Sequence, residues 1–523
     1  MIDSTATQPA RPALSATHPD SLTLKRRAAR GGAMLLGVRL GLQFVTAIVT
    51  IVVARFLQPF DYGVMTAGAI LLDLADRLTE IGLGRALVRK PDLNEDDLAE
   101  AYTICSLLSW VSYALLFLLA GPAAVYFRDP RLTTYLRVAG LAVLLIPFRT
   151  IPASIIQHQM RLERLSVIQM ASTLLQAAVL LPLAVGGFGY WSLVVAALAA
   201  RLTEAVLLGA ATGWWPRLRR PGAASGYLIR FGLHTSGSGL LYHLYSNADY
   251  AILGRLGGLV VLGYYTLAFN LVTLPVSRLT ANLNQVAFPT FSRLQHDPER
   301  MWGWYLRLVG LIGLVGLPVM VGMALVAGDA IPLVLGAKWR PAVVPFQIMS
   351  LAGTTMLIAT SLPPLFGVIN RPDLNFKYSA ACALVLPPAF YLLGRAYGAT
   401  GVALAWALVY PMIACGLVVA TRSLTGLGLR KFLVVLAPSL AGLAAMVATV
   451  GLVKCGLGGE ASPLRLALSI AAGILSYTPI AWWLGRRTVI ADLRTLLGEL
   501  RTVWRPSAGV SSPVTFPDPR TEP

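Results

Sequence analysis

Four polar side chains, Arg39, Gln43, Thr46 and Thr50, follow one another at i, i+4, i+7 and i+11 within an otherwise apolar stretch. That spacing lays them along one stripe of a helix. An arginine and an amide on such a stripe suit an anion, because guanidinium groups bind phosphate and carboxylate oxygens in pairs. The alternative is that Arg39 snorkels to water. Further along stand Asp73, Asp76, Arg77 and Glu80. Asp73–Arg77 and Arg77–Glu80 are each one turn apart, so the three can form an intrahelical ladder, and a carboxylate left over can take a proton or a cation. Arg201 and Glu204 have the i, i+3 spacing of a mutual ion pair. Arg149 lies ahead of Gln157 and His158.

Two longer stripes follow. His234, Ser238, Tyr242, Tyr245 and Asp249 keep helical spacing, as do Asn270, Thr273, Ser277, Thr280 and Asn284, with Arg278 beside them. Amides, hydroxyls and aromatic rings suit sugar hydroxyls and sugar faces; hydrogen bonds between helices are the other reading. His234 and His243 are too far apart for the spacing of paired metal ligands, and Cys105, Cys382, Cys415 and Cys455 form no CxxC pair. No Walker A sequence GxxxxGK[ST] and no nucleophile–base constellation occurs. No metal, no cofactor and no enzymatic activity are therefore expected.

A membrane must hold these residues. Of the 523 residues, 56% are hydrophobic and 13% charged, and mean hydropathy is +0.67; soluble domains carry roughly a quarter charged residues. Stretches such as Leu311–Val326 and Val402–Thr421 contain no charge. Runs of about 20 such residues cross a hydrocarbon core of about 30 Å. The net charge of +19 sits mainly in short loops rather than on a basic helix face, which argues against nucleic acid as partner. An ionisable group at mid-bilayer costs about 2.5–3.5 kcal/mol on insertion scales, so each one above calls for a protein or water neighbour.

The apolar blocks give an all-α polytopic protein of about fourteen spans. Their limits are near 32–54, 61–81, 101–124, 132–153, 166–186, 191–212, 227–254, 260–289, 302–326, 342–369, 376–394, 401–421, 432–453 and 464–485. Block 32–54 is too long for a signal peptide and reads as a retained first span. With a cytoplasmic N-terminus, Lys and Arg favour the inner segments about threefold, which puts both termini inside. The C-terminal tail reads as disordered.

A repeat underlies the spans. Arg55, Gly63 and Thr66 match Arg255, Gly263 and Thr266 at an offset of 200, and weaker matches follow at 210 and 211. The expected plan has a cytoplasmic tail (1–31), a six-helix lobe (32–212), a basic cytoplasmic linker (213–226) and a second six-helix lobe (227–425). Helices 13–14 (426–485) and a cytoplasmic tail (486–523) complete it. An even number of spans per lobe makes the repeats parallel, related by an axis along the membrane normal.

The stretches LQPFDYGVMTAG and EIGLGRALVRKPDLNEDDLAEAY in the first half carry a family resemblance. So do NADYAILGRLGGLVVLGYYTLAFNLVTLPVSRL, FPTFSRLQ, VLGAKWRPAV and GVINRPDL in the second. Through them the chain resembles the polysaccharide transporter family of the multidrug/oligosaccharidyl-lipid/polysaccharide flippase superfamily, over roughly residues 30–425. The resemblance implies a V-shaped pair of six-helix lobes. It also implies export of undecaprenyl-pyrophosphate-linked oligosaccharide, an exopolysaccharide or O-antigen repeat unit, across the bacterial inner membrane. An ion-coupled multidrug or cation antiporter of the same superfamily is the alternative. The expected partners are the lipid-linked substrate, membrane lipids, a polysaccharide polymerase and a chain-length regulator. The expected cavity residues are Arg39, Gln43, Arg77, Arg149, Asp249, Arg278 and Asn284, with Asp73, Asp76 and Glu80 as candidates for ion coupling.

Overall fold

The computed structural model describes residue 46 and residues 48–486, apart from 91–92, 221, 295–296, 370, 423–427 and 459–460. The side chains of 223–225, 227–240, 281–289, 292–293, 298, 363–364, 367, 372 and 429 also lie outside the description. So, therefore, do Arg39, Gln43, the side chains of His234, Ser238 and Asn284, and both tails.

Every regular element among the described residues is helical. In the first half these are α1 (Ile48–Phe56), α2 (Pro59–Glu80), α3 (Leu83–Arg89), α4 (Glu95–Phe127), α5 (Arg131–Ala139), α6 (Ile146–His158), α7 (Leu162–Val185) and α8 (Tyr190–Thr212). The second half holds α9 (Ala223–Leu294), α10 (Pro298–Val334), α11 (Val343–Ala359), α12 (Leu362–Val368) and α13 (Pro372–Ala420), and α14 (Leu429–Gly456) and α15 (Pro463–Gly485) follow. Local chemistry sets several starts. Asn94 accepts from the Asp97 amide at 2.8 Å while the Asp97 carboxylate accepts from the Asn94 amide at 3.1 Å, a reciprocal cap on α4. Pro59 opens α2, where its missing N–H costs nothing.

Ten helical stretches among the described residues are long and apolar enough to cross a membrane. An eleventh is the pair α1 and α2–α3, bent by 116°. The expected fourteen are thus not all counted: the first two expected spans fall in this one bent pair, and two further pairs run on as single helices through glycines. α9 and α13 run on through Gly258 (φ 76°, ψ 176°) and Gly398 (φ 60°, ψ −136°), backbone conformations that glycine adopts at little cost. The Tyr265 hydroxyl donates to Asp249 at 2.8 Å across 16 residues of α9, which a straight helix would hold about 24 Å apart. The rings of Phe390 and Trp406 approach to 5.4 Å in α13. Each is therefore a helical hairpin folded at its glycine, at the loop positions that hydropathy indicated.

The halves meet where the repeat was found. A Cβ on Gly63 would stand 1.8 Å from the Leu259 carbonyl oxygen, and one on Gly263 would stand 1.7 Å from that of Pro59. Pro59 and Leu259 are themselves 200 apart, so each copy of the motif rests on the equivalent backbone of the other. This is the reciprocity of a two-fold contact. Only glycine lets two backbones approach this closely.

The remaining parts dock on the halves. Arg217 and Arg219 of the linker fold back onto Glu95 (3.0 Å) and Asp96 at the start of α4. The α14–α15 hairpin is fixed to α10 by the Tyr477 hydroxyl, which donates to the Leu314 carbonyl at 2.7 Å. Lys454 and Arg465 add ion pairs to fully buried Asp329. On the outside stand apolar residues such as Leu118, Val125, Leu384 and Leu475, more than 70% exposed, as lipid contact requires.

Candidate functional site

α2 carries the densest intramembrane charge in the described chain. Asp73, Asp76, Arg77 and Glu80 fall within about 100° of its circumference at 100° per residue. The neighbouring helices divide this stripe. Asp76 turns toward α8 and accepts a two-pronged contact from Arg201, at 2.8 and 3.2 Å. Glu204, one turn further along α8, is taken by Arg149 of α6 at 2.8 Å. The expected Arg201–Glu204 pair therefore does not form; both residues pair across helices. Across-helix approach lets a guanidinium meet a carboxylate fork to fork.

The expected ladder of Asp73, Arg77 and Glu80 is likewise absent. All three side chains are exposed, and none has an ion-pair partner among the described residues. Glu80 instead lines a cavity of about 350 Å³ enclosed by α2, α3, α6, α7 and α8. Asp76, Arg85, Arg149, Gln157, Gln169 and Glu204 line it too, and Ser154 and Thr150 lie on its wall. Three carboxylates and two arginines, with Arg201 behind Asp76, make it polar and close to neutral. Glu80 and Arg85 are its two uncommitted charges. His158, expected beside Arg149, faces elsewhere and contacts the Val88 carbonyl at 3.3 Å.

The stripes of α9 divide in a similar way. Tyr242 is exposed, whereas Tyr245 and Asp249 are buried. Asp249, expected on a cavity wall, is fully enclosed. It accepts from the Tyr265 hydroxyl at 2.8 Å, the Trp406 indole at 3.1 Å and the Tyr250 amide at 2.8 Å. Three donors satisfy a carboxylate that hydrocarbon would not tolerate alone, and they join both legs of α9 to α13. In the second stripe Asn270, Ser277 and Arg278 are exposed. The hydroxyls of Thr273, Ser277 and Thr280 donate to carbonyls of their own helix at 3.0, 2.9 and 2.8 Å rather than to neighbouring helices. His243 reaches across the halves to the Ile70 carbonyl at 3.2 Å and is braced by Asn247.

Arg85, Gln169 and Ser154 were not singled out from the sequence. Arg85 sits inside the family-like segment EIGLGRALVRK, and that was the one available signal. The other two are unremarkable until α6 and α7 are brought together.

Taken together, the fold and its charges define a helical membrane protein with ten or eleven membrane-length helices among the described residues and ionisable groups set within them. A family model described as "Polysaccharide biosynthesis protein" matches residues 52–344, and the chain belongs to that family. The lipopolysaccharide biosynthesis protein WzxC of Escherichia coli (strain K12) is 24% identical over 364 residues, covering 68% of this chain and 73% of that protein. The succinoglycan biosynthesis transport protein ExoT of Rhizobium meliloti (strain 1021) is 25% identical over 333 residues, 63% and 66% of the two chains. Among solved structures, the lipid II flippase MurJ in an inward closed conformation superposes with a TM-score of 0.71 at 13% identity. That match covers 87% of this chain and all of that one, and it shows that the fold is shared.

Proposed function

We propose that this protein is a flippase. It moves an undecaprenyl-pyrophosphate-linked oligosaccharide, an exopolysaccharide or O-antigen repeat unit, from the cytoplasmic to the periplasmic leaflet by alternating access. The observation that carries this reading is the set of charged side chains exposed at bilayer depth, Asp73, Arg77 and Arg278, in a two-halved member of the polysaccharide biosynthesis family.

The physical need is plain. A polyprenyl tail can stay in lipid, but sugar hydroxyls and phosphate charges stripped of water cost several kcal/mol each in hydrocarbon. A polar path between two halves supplies the missing partners, and arginines supply them to phosphate in pairs. In this conformation Arg77 and Arg278 are the described candidates for such contacts, with Arg39, Gln43 and Asn284 proposed alongside, while Arg149 is engaged by Glu204. Asp249 is enclosed and contributes to the framework. Asp73 and Glu80 are the proposed ion-coupling carboxylates, and Asp76, named with them from the sequence, is held by Arg201. The roles of these relatives in polysaccharide biosynthesis and transport favour flipping over multidrug antiport. The same reading puts the chain in the bacterial inner membrane with both termini cytoplasmic, working with a polymerase and a chain-length regulator.

The test is a clean deletion in a strain without a redundant flippase. The lipid-linked repeat unit should accumulate on the cytoplasmic leaflet, shielded from glycosidase added to the periplasmic side. Complementation with Arg278→Ala should restore insertion and abundance but less export than the parent. Normal polymer export in the deletion strain would overturn the assignment.

A further inference from the structure

At the end of the bundle where the glycine motifs cross, the halves are joined by cations set against helix ends. Arg55 of the first half donates from Nε to the Val334 carbonyl and from Nη2 to that of Leu333, both at 2.8 Å. These are the last two residues of α10, in the second half. Arg255, its counterpart 200 residues on, donates to the Tyr126 carbonyl at 2.9 Å and stacks over the Tyr126 ring. Tyr126 is the penultimate residue of α4, in the first half. Each repeat thus sends its turn arginine to cap the C-terminus of the corresponding long helix in the other half. Lys338 adds a third such contact, donating to the Arg55 and Leu57 carbonyls at 2.7 Å, and the Trp339 indole donates to Ala54 at 2.9 Å.

The last carbonyls of a helix have no partner within it and carry the negative end of its dipole, so a cation there is favourable. These bonds are also easy to exchange. Arg55 and Arg255 are exposed, so water can replace either partner when the halves part. A contact that closes one end of a transporter yet must break in every cycle is best built this way.

We propose that Arg55 and Arg255 are paired positioning residues for the transport step. They form a crossed latch, seconded by Lys338, that holds this end of the bundle shut and sets how often it opens. The inference rests on the alternating-access reading, and its side assignment on the proposed orientation, which makes this the periplasmic end.

The test uses the full chain in spheroplasts, with Cys415→Ser and Cys455→Ser and a reporter cysteine at Leu259→Cys, a position 5% exposed beneath the crossing. Labelling of residue 259 by a membrane-impermeant maleimide is read by peptide mass spectrometry. Arg55→Gln and Arg255→Gln should each raise it about fivefold, the shift expected when one charge–dipole contact is lost. The double variant should raise it further, and Arg55→Lys and Arg255→Lys should return it toward the parent. Native Cys105 and Cys382, both buried, serve as internal controls. Equal labelling in parent and double variant would overturn the latch, and so would a parallel rise at Cys105, which reports unfolding. No substrate is needed, so greater opening without repeat-unit transport would support the latch while overturning the flippase reading. A rise seen only in inside-out vesicles would support the latch and reverse the orientation.

Discussion

Arg149 and Arg201 separate the structural charges of the first half from those available for transport. Each arginine consumes one carboxylate, Glu204 or Asp76, in a short cross-helix pair. What remains in the cavity is Glu80 and Arg85. Asp76→Asn removes half of a two-pronged pair and should lower stability by about 1.5–3 kcal/mol, the range for hydrogen bonds to a charged group. A fall in melting temperature of the purified protein would register it. Glu80→Gln breaks no ion pair, so abundance and melting temperature should match the parent. If Glu80 carries the coupling proton, its amide variant should lose the acceleration of transport by an imposed pH gradient. An unchanged response to the gradient would remove Glu80 from that role, and a drop in abundance would make it structural.

At the scale of the elements, hydropathy located helices well and their rotations poorly. The spans near 166–186, 191–212 and 464–485 agree with α7, α8 and α15 to within a few residues, because lipid exposure writes an apolar signal along the whole segment. The hairpin folds at Gly258 and Gly398 were visible for the same reason, as polar gaps between apolar blocks. Partnership was not legible. Arg201 lies three residues from Glu204 and 125 from Asp76, and only the packing of α8 on α2 brings the distant carboxylate within 2.8 Å. The enclosure of Asp249 depended similarly on Trp406, on a hairpin more than a hundred residues away. The α14–α15 hairpin offers an element-scale test. Asp329 is fully buried and is the shared counter-ion of Lys454 and Arg465. Removing one member of a buried ion cluster strands the others, at about 3–5 kcal/mol. Asp329→Asn should therefore loosen this hairpin first, seen as faster amide exchange in α14 and α15 than in α2 or α4. Uniform protection across all four helices would show that the cluster does not anchor it.

For the whole molecule, the reciprocal contact at Gly63 and Gly263 sets backbone against backbone, so the halves can part at this end without remodelling either core. The Asp249 node fastens the second half internally and the Arg149–Glu204 and Arg201–Asp76 pairs fasten the first, so motion is directed to the seam between them. A head group crossing that seam carries its phosphate charges through the membrane field. With an inside-negative potential, outward transfer of an anion is favoured by about 2.3 kcal/mol per charge per 100 mV. Arginines that stay with their own half do not cancel this term over a full cycle, because they return to their starting positions. In proteoliposomes clamped by a potassium diffusion potential, repeat-unit flipping should therefore quicken as the cytoplasmic side is made more negative. It should slow when the sign is reversed, at fixed pH on both sides. A rate indifferent to voltage would mean that the transported charge is balanced by a cation moving outward with it. The carboxylates of α2, rather than the membrane potential, would then be where the driving force enters.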